Sequence, residues 1–143
     1  MSSTPIIDVS VIIISYNTCR LTVDCINAVI AKTKDVNFEI IVVDNASNDD
    51  SAAVVKKTFP FVTLIESGKN IGFGNANNLG AAAAKGEFLF LLNSDTLLCN
   101  NAIRILTDYM RSEEGKQTAV CGANLFSATK QPNHSYSAFY PSL

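Results

Sequence analysis

Val9 to Ser15 reads VSVIIIS, and this short run decides the fold class. It is β-branched and almost continuously apolar. An amphipathic helix would vary with a period of about 3.6 residues, and a half-exposed strand with a period of two. A run with neither pattern suits a strand covered on both faces, as in a parallel sheet flanked by helices.

The chain around this run repeats the same logic. A helical pattern follows, with Leu21, Cys25, Ile26, Val29 and Ile30 expected on its inner face. Phe38 to Val43 (FEIIVV) is a second buried-type strand. Ser47 or Asn48 is placed to cap the next helix, with Asp49 and Asp50 in its first turn, where the helix dipole favours anions. That helix is expected to reach Thr58, with Pro60 as its stop. Phe61 to Ile65 reads as a third strand. A Gly- and Asn-rich loop, Ser67 to Gly74, leads into an Ala-rich helix ending near Gly86. Glu87 to Leu92 is the fourth strand, and Asn100 can cap a helix with Ala102, Ile103, Leu106 and Met110 inward. A fifth strand is expected over Thr118 to Leu125, and no regular element from Phe126 to Leu143. Repeated strand–helix alternation predicts an α/β fold: a Rossmann-like, doubly wound, mostly parallel sheet with helices on both faces.

Composition agrees with one such unit. The chain has 143 residues, 48% of them hydrophobic and 17% charged, with a formal net charge of −2. A single folded domain fits that length, and a disordered chain does not fit that hydrophobicity. No basic excess is present, which argues against gripping a nucleic-acid backbone. No apolar run approaches the roughly 18 residues of a membrane span. The four cysteines (Cys19, Cys25, Cys99, Cys121) include no C-x-x-C pair, and His134 is the single histidine, so a structural zinc site is not offered. Cys25 and Cys121 read as small buried hydrophobes. Free thiols and an N-terminus without a secretory signal pattern give a cytoplasmic expectation.

In doubly wound sheets, ligands bind at the carboxyl ends of the strands, near a topological switch point. Those ends are polar here: Ser15-Tyr16-Asn17, Asp44-Asn45, Asn70-Ile71-Gly72-Phe73-Gly74 and Asn93-Ser94-Asp95. Taken singly, Asp and Asn are ordinary turn and cap residues, Tyr16 an edge aromatic, and Gly72 and Gly74 permissive loop positions. Asn70, Asn75, Asn77 and Asn78 are less ordinary. Three of them fall at or inside a helix start, where Asn is a mediocre former, and a site that reads hydrogen-bonding groups would explain them. As a set, these residues suit a nucleotide. A carboxylate can accept the imide N–H of a pyrimidine ring in a charge-assisted bond of roughly 1.5–3 kcal/mol. Tyr16 can cover the ring face, and a glycine-rich turn lets backbone N–H groups approach ribose or phosphate. Asp95 can hold a hard divalent cation, Mg or Mn, against a diphosphate.

The segments VSVIIISYN (9–17), EIIVVDNASNDDS (39–51), NIGFGNANNLG (70–80) and FLFLLNSDT (88–96) together resemble family 2 glycosyltransferases of the GT-A fold, and most of all rhamnosyltransferase-like members. The resemblance covers about Val9 to Leu125. It implies inverting transfer of a sugar from a UDP- or dTDP-sugar to a glycan or lipid-linked acceptor. It also implies nucleotide contacts at Ser15, Tyr16, Asn17, Asp44, Asn70, Gly72, Phe73, Asn77 and Asn93, with Asp44 on the pyrimidine. Asn93-Ser94-Asp95 matches the family's DxD motif, with Asp95 as the metal-binding acid and Asn93 replacing the first Asp. The segment from Gly122 through Ser135 and Pro141-Ser142-Leu143 looks like the family's passage toward the acceptor half. No segment matches the one that carries the family's general base, and Glu113 and Glu114 read as solvated surface. Residues 1–143 are therefore expected to be the donor-binding part of a longer enzyme, inactive alone. The full-length protein is expected to be cytoplasmic and peripheral to the inner membrane. Self-association is expected where apolar surface is left uncovered.

Two rival readings bear on the same residues. Gly72-x-Gly74 opens a helix after a strand, and Asp95 follows Gly74 by 21 residues, as in a dinucleotide-binding oxidoreductase. Against it, Asn77 holds the third glycine position and the motif follows the third strand. A non-catalytic receiver-like or nucleotide-binding module would want acids at the first strand's end, where Ser15-Tyr16-Asn17 has none.

Overall fold

The computed structural model describes residues 6–127 and the backbone of residues 132–133. Its elements are β1 (Val9–Ser15), α1 (Cys19–Lys32), β2 (Phe38–Asp44), α2 (Ser51–Thr58), β3 (Thr63–Glu66), α3 (Phe73–Ala83), β4 (Phe88–Asn93) and α4 (Ala102–Arg111). A 3-10 turn at Gly115–Gln117 and a short pair, β5 (Leu125–Phe126) and β6 (Pro132–Asn133), complete them.

Four strands form one parallel sheet in the order β3-β2-β1-β4. Side chains alternate between its two faces. On one face Val9, Val11 and Ile13 of β1 join Ile40 and Val42 of β2 against Cys25, Ile26 and Val29 of α1, Val55 of α2 and Ile103 of α4. On the other, Ile12, Ile14, Ile41 and Val43 pack on Ala76 of α3. Both faces of VSVIIIS are thus covered, as its unbroken apolar run requires. Each fully buried Ile or Val in it contributes roughly 1.5–3 kcal/mol of burial.

The order of strands sets the position of the site. The chain steps outward from β1 to β2 to β3, with α1 and α2 on one face. It then crosses back over the other face through α3 and lays β4 on the far side of β1. The direction of winding reverses between β1 and β4. Their carboxyl ends diverge into different loops there and leave a crevice.

Several expectations from the sequence are corrected. In α1 the buried residues are Thr22, Cys25, Ile26 and Val29, and Leu21 and Ile30 are exposed. Thr22, Cys25, Ile26 and Val29 fall within one arc of the helix, and Leu21 and Ile30 lie on its two flanks. Helix α2 begins at Ser51 with Asp50 as its cap residue, so no acid lies in its first turn. In α4 the cap residue is Asn101, with Ile103 and Thr107 buried and Leu106 and Met110 only half-buried. β3 begins at Thr63, and Phe61 is exposed, edge-on to Phe59. No strand forms over 118–124. Ala119, Gly122 and Ala123 have little apolar surface to bury, and Val120 is exposed. Leu125, the last residue expected in that strand, and Phe126 instead pair antiparallel with Pro132–Asn133, so that three of the four residues fall in the stretch expected to be irregular. Cys121 is half-buried, whereas Cys25 is fully buried. His134, Ser135 and Pro141-Ser142-Leu143 lie outside the described residues.

A candidate nucleotide cleft at the switch point

A cleft of about 680 Å³ opens at the carboxyl ends of the strands. Its lining includes Tyr16, Thr18 and Leu21 after β1, Asn45 after β2, Asn70, Gly72 and Phe73 before and at the start of α3, and Asn93 at the end of β4 with Ser94 and Asp95 after it. It therefore spans the β1–β4 switch point. Six of the residues singled out from sequence line it: Tyr16, Asn70, Gly72, Phe73, Asn93 and Asp95.

The other singled-out residues are not part of the lining. Ser15 is fully buried, and its hydroxyl accepts from Thr22 Oγ1 at 3.0 Å. Asn17 adopts a left-handed φ of 55°. Its Oδ1 accepts from Asn48 N at 2.7 Å, while its own N–H donates to Ser47 Oγ at 3.0 Å. It holds the β1 and β2 loops together. Asn77 is buried in α3, and its Nδ2 donates to Phe73 O at 3.0 Å. Asn75 does the same toward Ile71 O at 2.8 Å. The donors of these two asparagines thus serve carbonyls of the helix start and of the loop just before it.

Asp44 is 4% exposed. Its Oδ1 accepts from Ser47 N at 2.9 Å, and its buried Oδ2 has no hydrogen-bond partner among the described residues. A buried acceptor left without a donor costs roughly 1–3 kcal/mol, so Oδ2 marks a place where a ligand N–H would be favourable.

Asp49 has a structural task. It accepts from Cys19 N at 3.0 Å, from Ser51 N at 3.0 Å and from the Ser51 hydroxyl. The Ser51 hydroxyl bond, ahead of the bonds from backbone N–H groups, holds its carboxyl below the usual range.

The turn carrying Asp95 is supported from α1. Thr96 N donates to Asn93 O at 3.0 Å and closes it. Ser94 Oγ lies 3.2 Å from Thr18 Oγ1, which lies 3.2 Å from Thr22 Oγ1. The Cys25 thiol donates to Asn93 O at 3.6 Å. Burial, with a smaller push from the Asp95 carboxylate, raises the Cys25 thiol to about 12. Sequence reading placed Asn45 at a polar strand end without giving it a contact, and missed Thr18 and Leu21 as lining residues. Thr18 directly follows the flagged end Ser15-Tyr16-Asn17, which was the available signal. Leu21 was assigned to the core, because an apolar residue on a helix carries no mark of the face it takes.

Among the described residues no three His, Cys, Asp or Glu side chains gather as a metal cage. Asp95 alone is still a fitting donor set for Mg or Mn beside a diphosphate. Such ions take one or two protein carboxylates and fill the rest of their shell with phosphate oxygens and water.

The Gly72-x-Gly74 turn follows the edge strand β3, whereas a dinucleotide fingerprint follows the first strand at the switch point. A family model described as glycosyl transferase family 2 matches residues 10–139. The chain belongs to glycosyl transferase family 2. It is 30% identical over 117 residues to the glycosyltransferase GlyG of Streptococcus pneumoniae, covering 80% of this chain and 38% of GlyG. The structure of Staphylococcus aureus TarS in complex with UDP-GlcNAc is 27% identical, with a TM-score of 0.62 over 73% of this chain and 31% of TarS. A mannosyltransferase of Pyrobaculum calidifontis, in complex with GDP-Man and Mn2+, shares the fold at 24% identity, with a TM-score of 0.68 over 77% of this chain and 34% of its own. The fold found here is the GT-A parallel sheet with helices on both faces. The chain spans less than two-fifths of the length of GlyG.

Proposed function

We propose that this chain is the donor-binding part of an inverting glycosyltransferase that takes a UDP- or dTDP-sugar and serves a glycan or lipid-linked acceptor. The observation that carries the reading is the buried Oδ2 of Asp44, without a hydrogen-bond partner among the described residues, on the residue preceding Asn45, which lines the cleft at the switch point. A pyrimidine imide N–H would complete it. The complex of TarS with UDP-GlcNAc supports a uridine donor.

In this reading Asp44 accepts from the base and Tyr16 covers its face. Asn70 and Gly72 approach the ribose or diphosphate, with Phe73 as the apolar wall and Asn93 as a further polar contact. Ser15, Asn17 and Asn77 act from behind, by holding the loops that present these groups. Asp95 would hold Mg or Mn. That ion, when bound, supplies positive charge to offset charge developing on the leaving diphosphate.

The acceptor half, with the general base, belongs to chain outside these residues, and the part described acts with it. The relative lengths support this, as does strand β4. That strand is an edge of the sheet, and Leu89 and Leu91 stand 50% and 57% exposed on its α3 side. No helix among the described residues is long and apolar enough to cross a membrane. The full-length enzyme is proposed to act in the cytoplasm, at the inner face of the membrane.

Thermal shift of the chain with UDP or dTDP plus Mn2+, with NAD, and with neither tests the reading. A shift with a pyrimidine nucleotide, abolished in Asp44→Ala, is expected. A shift with NAD alone would overturn it, and unchanged calorimetric affinity in Asp44→Ala would remove Asp44 from the site.

A further inference from the structure

Asn45 is the residue after Asp44, and it is 3% exposed. Its backbone N–H donates to Ser15 O at 2.8 Å, which extends the β1–β2 ladder by one bond. Its side chain reaches the other way. Asn45 Oδ1 accepts from Ile71 N at 2.9 Å, and Asn45 Nδ2 donates to Asn70 Oδ1 at 3.1 Å. Asn70 Oδ1 also accepts from Gly72 N at 2.9 Å. One buried carboxamide therefore controls three successive loop residues, two directly and Gly72 through Asn70.

The network settles how both amides point. Ile71 N and Gly72 N are backbone donors, so each must face an oxygen. Asn45 Oδ1 and Asn70 Oδ1 are the oxygens in place, and Asn45 Nδ2 is then left to donate between the two side chains. Donor and acceptor are needed on one planar group, which Asp, Leu or Ala cannot supply. Gly72 has φ 79° and precedes α3, whose start has no side-chain cap. The loop's geometry thus depends on this pair.

We propose that Asn45 is a positioning residue for the donor site. Its carboxamide sets the Asn70–Gly72 wall of the cleft at a fixed distance from the strand end that carries Asp44. Base and diphosphate then meet their partners together. The inference rests on the nucleotide reading of the cleft, and it adds a residue that makes no contact with the nucleotide through its side-chain amide.

The test combines amide hydrogen exchange with UDP titration in Mn2+, both on the 143-residue chain. In Asn45→Ala, exchange at Ile71 and Gly72 should rise while Ile41 and Val43 in β2 stay protected. UDP affinity should fall roughly 10-fold, the size of one or two lost buried hydrogen bonds. Asn45→Asp gives a sharper signature and covers the case in which the alanine variant does not fold. It keeps the acceptor for Ile71 and loses the donor. Asn70 then turns its own NH2 toward residue 45 and abandons Gly72. Ile71 should stay protected, Gly72 should not, and UDP affinity should again fall. Unchanged exchange at Ile71 and Gly72 in the alanine variant would overturn the proposal. So would loss of protection at Ile71 together with Gly72 in Asn45→Asp, or a loosened loop with unchanged UDP affinity. Failure of the unaltered chain to bind any pyrimidine nucleotide would instead sink the reading of the cleft, with the exchange pattern still reporting on the latch. Asp44→Ala is the control: it should abolish binding and leave Ile71 and Gly72 protected.

Discussion

The Thr18 hydroxyl lies 3.2 Å from the Ser94 hydroxyl and joins the first turn of α1 to the turn that carries Asp95. Thr18 is the N-cap residue of α1, yet its side chain makes no capping bond. A capping bond is worth about 0.5–2 kcal/mol, so the helix forgoes a real stabilisation. The hydroxyl is directed to Ser94 and Thr22 instead.

Thr18→Val keeps the shape and removes that hydroxyl. We expect a loss of about 1 kcal/mol in chemical denaturation, from hydroxyl partners left without a bond. The Mn2+-dependent part of UDP affinity should weaken more than the Mn2+-independent part, because the Asp95 turn loses its support. Calorimetry with and without Mn2+ measures both, and equal weakening would show that Thr18 acts on the cleft in general.

Two glycines in α3 should respond in opposite directions to alanine. A Cβ at Gly80 would fall 2.6 Å from Ile12 Cγ2 and 3.3 Å from Val43 Cγ2, so α3 lies on the sheet through this position. Alanine gains about 1 kcal/mol of helix propensity there, but overpacking costs roughly 1–3 kcal/mol and should win. A Cβ at Gly74 meets nothing within 4 Å. Gly74→Ala should therefore stabilise by about 0.4–1 kcal/mol. Urea midpoints of the two variants check the contrast; the same sign in both would refute it.

Cys25 should be inert to alkylation. It is fully buried, and its thiol is pushed up to about 12, so almost no thiolate is present near neutral pH. Cys99 is exposed. Iodoacetamide at mildly alkaline pH should modify Cys99 and spare Cys25 until the chain is unfolded, as read by peptide mass spectrometry. Early labelling of Cys25 would show that α1 opens readily from the turn at Asn93.

The sheet's amino-terminal end predicts acid sensitivity. Arg111 on α4 bonds Asp8 before β1 at 2.6 Å and also Glu87 before β4. The Arg111 bond, then that from Asn37 N, holds Asp8 below its ordinary range. A depressed folded value means stability that is present above the unfolded carboxylate value, near 3.9, and is lost as pH falls through the folded one. Asp8→Asn should lower Tm at neutral pH, and the gap to the unaltered chain should close as pH drops below about 4. A gap that persists in strong acid would mean that Asp8 contributes through hydrogen bonding without its charge.

The sequence by itself determined the sheet and the end of it that matters. VSVIIIS and FEIIVV have no polar face, so they could only be strands covered on both sides, and the polar residues after the strands had to gather at one edge. That much follows from local periodicity, since the partners of each strand need not be known. The tertiary structure decided which polar residues reach the cleft. Asn17, Asn77 and Asn45 turn their carboxamides to the chain itself, and Asn45 also lines the crevice, together with Thr18 and Leu21. It also left Thr118–Asn124 without a ladder and centred the buried face of α1 on Thr22, Cys25, Ile26 and Val29, with Leu21 and Ile30 outside it. These outcomes depend on helix phase and on hydrogen-bond partners up to 76 residues away, as Thr18 is from Ser94. A side chain's composition says that it can bond; only the packed chain says to what.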